Sequence, residues 1–476
     1  LVNYTQWKIL SPEAALTDIP SIDGYIAQIW TGTSRCANVL EGVVRERTFE
    51  TAYLEYGIMQ ELVRGTGRKM WFLHDPIEDN PSYTWEDYRR NYLKTAIASL
   101  LHPAIHTYEI CPWPTRVFKG RYPRVPKLTS GMAPGAELPE TKAIPPSYAT
   151  LLCSMVQLFG DMDQDEAVFD GVTSGVGVLM ADSGLYQRSY PDGVVDGPAV
   201  SGSLDESLQR LTARMHDGED CSAESRALME KAAADPNLTY AFIESGVFPN
   251  FFGMTMPLLK YGLPVRPVQL DNVRRFPGYL DDYTALILSY EFIKPESPDV
   301  NNALAAWVRG GGTLVYIGDG SDPYHKIKGW WNTGKADYLN PAEHLFEMLG
   351  LGRAPGDGVY PVGAGRTAVW NQAPALLCTS AAIAEKYRSF IREVLAGGGQ
   401  DWEYCNRLTL RRGPYLISAV MDESVNEEPA VFRGLFADML ENDYAIRTEK
   451  TVRPDENAIL FDFSKIEEEA CRIVGC

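Results

Sequence analysis

The sequence predicts an α/β chain of more than one domain, and three observations carry that prediction. At 476 residues the chain is too long for one ordinary domain and should hold two or three, each with ample core. Short apolar runs alternate with stretches of helical periodicity through residues 1–125, and the alternation returns within 171–400. Residues 401–476 instead alternate apolar and polar positions between turn signals, with no long helix, as an antiparallel β domain would.

In the first part, residues 7–10 run as a strand into Ser11-Pro12-Glu13, and residues 24–30 run into Thr31-Gly32-Thr33-Ser34-Arg35. Phe49, Ala52, Tyr53, Tyr56, Met59 and Val63 then follow helical spacing, and Gly65 supplies a stop. Met70-Trp71-Phe72-Leu73 is a short apolar run suited to a strand covered on both faces, and it ends in His74-Asp75-Pro76-Ile77-Glu78-Asp79. Thr84 offers an N-cap with Asp87 three residues on, and Trp85, Tyr88, Tyr92, Ala96, Ile97 and Leu100 mark one helical face. A strand over residues 106–110 follows and ends in Cys111-Pro112-Trp113-Pro114-Thr115-Arg116. Parallel βα units deliver the carboxyl ends of their strands to one face, so acid, indole and guanidinium should meet there. Such units make either a (β/α) barrel or an open doubly wound sheet. Four strands are too few to close a barrel, whose first half would then lie upstream of Leu1 or on another chain.

Prolines 123, 126, 134, 139, 145 and 146 punctuate a linker over residues 126–170 that closes in an apolar helix, residues 148–159. The second α/β unit opens with a strand at 176–182, followed by a helix at 251–261 and strands at 265–270 and 283–289. Ser297-Pro298 starts a helix with Val300, Leu304, Trp307 and Val308 inward, Gly310-Gly311-Gly312 closes it, and residues 313–317 form a buried strand. A further helix is expected near 384–395.

The bulk numbers narrow the function. A formal charge of −19 argues against a nucleic-acid or anionic-membrane partner and suits neutral substrates. Eight cysteines without C-x-x-C spacing read as buried free thiols, which favours a reducing, cytoplasmic setting. No signal peptide or membrane span is evident, although the chain starts at Leu1 and an upstream segment is conceivable.

Residues 281–322, with the helix closing on Gly-Gly-Gly-Thr-Leu-Val, resemble the class I amidotransferase-like, flavodoxin-like domain of the β-galactosidase trimerisation type. The whole succession resembles clan A glycoside hydrolases in which a catalytic (β/α)8 TIM barrel precedes that domain and a small β domain. The resemblance implies that residues 1–125 are the C-terminal part of the barrel, 171–400 the amidotransferase-like domain and 401–476 the β domain, cut short if the chain is a fragment. It implies a glycosidase, a carbohydrate partner and a homo-oligomer, with Trp330-Trp331 suited to an interface. Counted back from the linker, residues 70–73 become barrel strand seven, so Asp75 takes the nucleophile's position, where Glu is usual in that clan. The acid/base of strand four then falls upstream of Leu1 or is not recognisable.

Glycoside hydrolysis uses one protonated and one ionised carboxyl about the scissile bond. Asp75 and Glu109 are the catalytic candidates, Glu109 because an acid within a strand needs a partner or an inward polar site. Trp113 and Trp30 offer flat faces for sugar rings, Arg116 and Arg35 reach for hydroxyls, and Glu13 and Asp79 are further polar contacts. Each acid has an ordinary alternative as a solvated loop residue or helix cap, and each indole as rim packing. No metal or other cofactor is expected, because no second His stands at ligand spacing to His74 and no glycine run forms G-x-G-x-x-G. Two other readings stay open: a non-catalytic carbohydrate-binding or assembly protein, and an amidotransferase-like enzyme. The latter needs a Cys on the turn after a buried strand, and residues 316–320 hold none.

Overall fold

A computed structural model gives the structure of the protein and describes residues 2–3, 13–29, 34, 37–77, 83–111, 113–123, 140–164, 166–170, 174–182, 223, 227 and 249–466. The fold is mixed α/β, arranged around three main sheets.

The first part runs β1 (Val2–Asn3), α1 (Glu13–Leu16), β2 (Gly24–Gln28), a hairpin of β3 (Ala37–Leu40) and β4 (Val43–Glu46), α2 (Thr48–Val63), β5 (Lys69–His74), α3 (Trp85–Leu100), β6 (Tyr108–Ile110) and α4 (Pro114–Phe118). Its sheet has the order β1-β2-β5-β6 with every pair parallel. The expected strand at 7–10 lies outside the described residues. The α3 helix starts with a complete capping box: Thr84 Oγ1 accepts from the Asp87 N–H, and the Asp87 carboxylate accepts from the Thr84 N–H at 2.9 Å. The aromatic face read from the sequence, Trp85, Tyr88 and Tyr92 with Ala96, Ile97 and Leu100, is buried.

The α2 helix departs from its expected single apolar face, because all sixteen of its residues are buried. It lies between the first sheet and the second, where a Cβ on Gly57 would come within 2.6 Å of the Pro267 ring. Its acids therefore need buried partners. Glu61 takes a hydrogen bond from Tyr279 at 2.8 Å, and Glu50 pairs with Lys260.

A short ladder of β7 (Arg121–Tyr122) and β8 (Lys142–Ala143) and the helix α5 (Pro146–Gly160) lead to β9 (Ala167–Phe169). The second unit follows as β10 (Val176–Met180), α6 (Pro249–Leu259), β11 (Arg266–Gln269), α7 (Asn272–Arg275), β12 (Ala285–Leu288), α8 (Pro298–Arg309), β13 (Thr313–Ile317), α9 (Pro341–Leu349), β14 (Gly358–Val362), β15 (Gly365–Trp370) and α10 (Ala381–Gly397). Its strand order is β11-β10-β12-β13-β15-β14, parallel except for β14 at one edge. Numbered within the unit, the first four strands run 2-1-3-4, so the order reverses at β10. Ser297 occupies the N-cap of α8 as expected but makes no capping bond. Trp331 is buried and gives its indole N–H to the His325 carbonyl at 3.0 Å, while Trp330 gives its own to the Pro295 carbonyl at 2.8 Å. Trp331 thus packs inside the unit, while Trp330 stays partly exposed.

The third sheet is antiparallel, built from β16 (Arg407–Arg412), β17 (Tyr415–Val420), β18 (Ala430–Asp438), β19 (Ile446–Val452) and β20 (Asn457–Asp462). It also takes in β9, which the sequence assigns to the linker. Arg412, fully buried, anchors this sheet to the first part by donating to the carbonyls of Ile105 at 2.8 Å and Met162 at 2.6 Å and to the Tyr108 hydroxyl at 3.1 Å.

Candidate active site

Side chains alternate along β5, so Met70, Phe72 and His74 face the helices while Trp71, Leu73 and Asp75 face the other way. The ring contacts agree: Phe72 and His74 meet Tyr56 of α2, and His74 meets Tyr92 of α3. In the parallel register Leu73 stands opposite Glu109. Glu109 therefore shares the face of Asp75 on the neighbouring strand, two residues lower. From strand spacing and rise, their Cα atoms stand roughly 8 Å apart.

Asp75, one residue past the end of β5, is 2% exposed. Its Oδ1 accepts from the Ile77 N–H at 3.3 Å, and its Oδ2 lies 3.8 Å from Arg116 Nη1. Arg116 comes from α4, a single turn started by Pro114, whose fixed φ suits the first helical position. The chain reaches α4 through Cys111, at φ 59°. Burial, and next the charge of Asp75, push the Cys111 thiol up to about 12, so it is not a thiolate nucleophile at neutral pH. From α5, the Tyr148 hydroxyl donates to the Pro76 carbonyl at 2.7 Å and fixes the turn behind Asp75.

The acid, the guanidinium and the strand carboxylate expected at this edge are thus together. Trp113 is at the N-cap of α4 and is 58% exposed, a flat face toward solvent. Glu13 opens α1, and the next residue donates its Ala14 N–H to Asp182 of the second unit. Trp30, Arg35, Glu78 and Asp79 lie outside the described residues.

The sequence reading weighed His74 only as a metal ligand and missed its actual setting. It is boxed by Tyr56, Tyr92, Tyr108 and Phe159, and burial pulls its pKa down to about 3. Among the described residues neither of its ring nitrogens has a hydrogen-bond partner, nor does the Tyr92 hydroxyl. Alternation placed His74 opposite to Asp75, and that was the available signal. Among the described residues no group of three or more His, Cys, Asp or Glu side chains could hold a metal ion. No described helix is long and apolar enough to cross a membrane.

No protein-family model matches the chain, and no match is found among curated proteins. Solved structures of β-galactosidases are similar to it. Gan42B, a GH42 β-galactosidase from G. stearothermophilus, shares 9% identity at a TM-score of 0.48, with 94% of this chain and 60% of that chain covered. A β-galactosidase from Bacillus circulans sp. alkalophilus shares 11% identity at a TM-score of 0.44, with coverages of 92% and 63%. The chain therefore spans less than two thirds of the length of either. Both are β-galactosidases, the enzyme type whose architecture the domain order resembles.

Proposed function

We propose that this chain is part of a glycoside hydrolase acting on a neutral oligosaccharide, polysaccharide or glycoside, its first sheet being the C-terminal part of a (β/α)8 barrel. Asp75 and Glu109 are the working carboxyls in this reading, Arg116 orients Asp75, and Trp113 offers a platform for a sugar ring. The observation that carries it is the shared face of Asp75 and Glu109 at the carboxyl edge of a parallel sheet, with Asp75 held by a rigid, buried strand end rather than a mobile loop. The amidotransferase-like unit has a structural role here. The turn after β13, Gly318-Asp319-Gly320, carries no Cys, so glutamine hydrolysis above buffer is not expected.

The near-complete burial of Asp75 beside Arg116 favours one second reading, a non-catalytic carbohydrate-binding or assembly protein. Sugar binding by calorimetry and hydrolysis of a panel of aryl glycosides, measured on the same preparation, separate the two. Catalysis by Asp75 requires that Asp75→Asn keep sugar binding while turnover falls by roughly three powers of ten or more. Unchanged turnover in Asp75→Asn would remove Asp75 from the chemistry, and binding without any hydrolysis in the unaltered chain would favour the second reading.

A further inference from the structure

We propose that Asp182, Asp271 and the side-chain oxygen of Gln269 form a binding site for a hard divalent cation of the Mg2+, Mn2+ or Ca2+ class at the carboxyl edge of the second sheet. The register builds it. Met180 of β10 stands opposite Gln269 of β11, and the Leu270 N–H donates to the Met180 carbonyl at 2.8 Å, carrying the pairing one step past the strands. Two residues on from that matched pair come Asp182 and Asp271, close enough that the charge of Asp182 is felt at Asp271. The Gln269 amide joins them, giving Nε2–H to Asp182 Oδ1 at 2.9 Å.

Two further observations mark the group as a ligand site rather than a solvated acidic edge. Gln269 is 3% exposed, and its Oε1, one amide width from the bond to Asp182, is buried with no hydrogen-bond partner among the described residues. Buried carbonyl oxygens left so are rare and call for a ligand. Asp271, in turn, makes no capping bond to α7, and the nearby arginines are occupied elsewhere. Arg275 spends its donors on Thr17 Oγ1, Asn272 Oδ1 and Asp18, and Arg274 pairs with Glu296. Two carboxylates and an amide oxygen, with water filling the remaining positions, suit a hard cation; the absence of His and Cys tells against zinc or copper.

The site stands at the carboxyl ends of β10 and β11, beside the reversal of strand order between β10 and β12. It also touches the first part of the chain, since Asp182 Oδ2 accepts the Ala14 N–H at 2.6 Å. A bound cation would fix the docking of α1 against the second sheet. Burial, and next the charge of Asp182, raise the Asp271 pKa to about 7, with Arg274 and Arg275 acting the other way. Tyr290 of the β12 end also senses Asp271.

The test is titration of the full chain with MnCl2 at fixed ionic strength, read by the electron paramagnetic resonance of free Mn2+, with MgCl2 and CaCl2 as competitors. One saturable site is expected. In Asp271→Asn, with an unchanged far-UV circular dichroism spectrum, the affinity should fall by about tenfold or more. No saturable Mn2+ binding at millimolar concentration overturns the proposal, and so does the same affinity in Asp271→Asn. Should that variant not fold, the same affinity in Asp182→Asn overturns it equally.

Discussion

Replacing Lys260 by Met tests how the three parts of the chain are held together. Lys260, 1% exposed at the end of α6, pairs with Glu50 of α2 and with Asp422 Oδ1 at 2.9 Å after β17. Around it, Arg45 reaches Asp422 at 2.6 Å and Arg47 reaches Glu423 at 2.7 Å. First part, second unit and third sheet thus each contribute to one set of alternating charges. Met keeps most of the lysine stem but leaves Glu50, 4% exposed, without its cation. Removing one member of a buried pair costs about 3–5 kcal/mol. In a cooperative unit of 476 residues that lowers Tm by roughly 3–5 °C.

The assay is urea unfolding followed by both tryptophan fluorescence and far-UV circular dichroism, since loss of the shared contact should release the third sheet first and separate the two transitions. The double variant Glu50→Met with Lys260→Met distinguishes charge from packing. Apolar replacement of a whole buried pair is often close to neutral, so the double variant should recover most of the loss. A loss below about 1 kcal/mol in Lys260→Met, or a double variant as unstable as the single one, would refute the reasoning. The pH dependence has a definite sign. Burial alone would raise Asp422 and Glu423, but the cations beside them hold both below the usual carboxylate range. Their contribution is present above about pH 4 and lost as the pH falls through their depressed values. Burial would lower Lys260, yet Glu50, Asp422 and Glu423 hold it raised, so its contribution is full below about pH 10 and lost as the pH climbs through its folded value.

Other expectations follow from single buried groups. His74→Phe removes from an aromatic box an imidazole with no hydrogen-bond partner among the described residues and should raise stability by about 1 kcal/mol near neutral pH. Because the folded His74 pKa lies near 3, the native chain loses stability as the pH falls from about 6.5 toward that value, and His74→Phe should flatten acid unfolding over that window. Equal acid sensitivity in the variant, measured by urea midpoints from pH 7 to pH 4, would count against it. Glu55, fully buried and bonded among the described residues by the Ser34 hydroxyl at 2.8 Å, is raised by burial to about 8. Its raised pKa makes the fold less stable as the pH rises from about 4.5 through 8, so Glu55→Gln should be nearly neutral at about pH 4, increasingly stabilising above it, and most stabilising at about pH 9. Destabilisation by that variant at pH 9 would show an ionised Glu55 with a partner.

Local chemistry was legible wherever it acts over a few residues. Thr84 and Asp87 announce their capping box, residues 313–317 their buried strand, and Gly310 the end of α8. What escaped depends on neighbours far along the chain. Nothing near β9 says that it will pair with Leu410 to Arg412, and nothing in the α2 pattern says that its polar side is also covered. The same limit governed the site. Alternation along β5 placed Asp75, but which residues crowd His74 depends on Phe159, contributed by the α5 helix inside the linker.

The full burial of α2 changes how the parts of this chain should be regarded. In a βα unit facing solvent, the outward side of a helix carries charges whose replacement costs little. Here that side meets the second unit: Gly57 permits the close approach of Pro267, Glu61 is bonded by Tyr279, and the Asn272 amide donates to the Glu61 carbonyl at 3.0 Å. Glu61 also keeps Arg64 at 2.7 Å, and that guanidinium lies 3.9 Å from the centre of the Tyr279 ring. A cut between the first part and the second would leave these acids and the apolar residues between them without partners. The carboxyl edge that carries Asp75 is therefore stabilised from behind by the second unit, through α2 and its contacts with Phe72 and His74. Substitutions at Pro267 or Tyr279 should be felt at β5, although neither residue lies near the carboxylates in sequence.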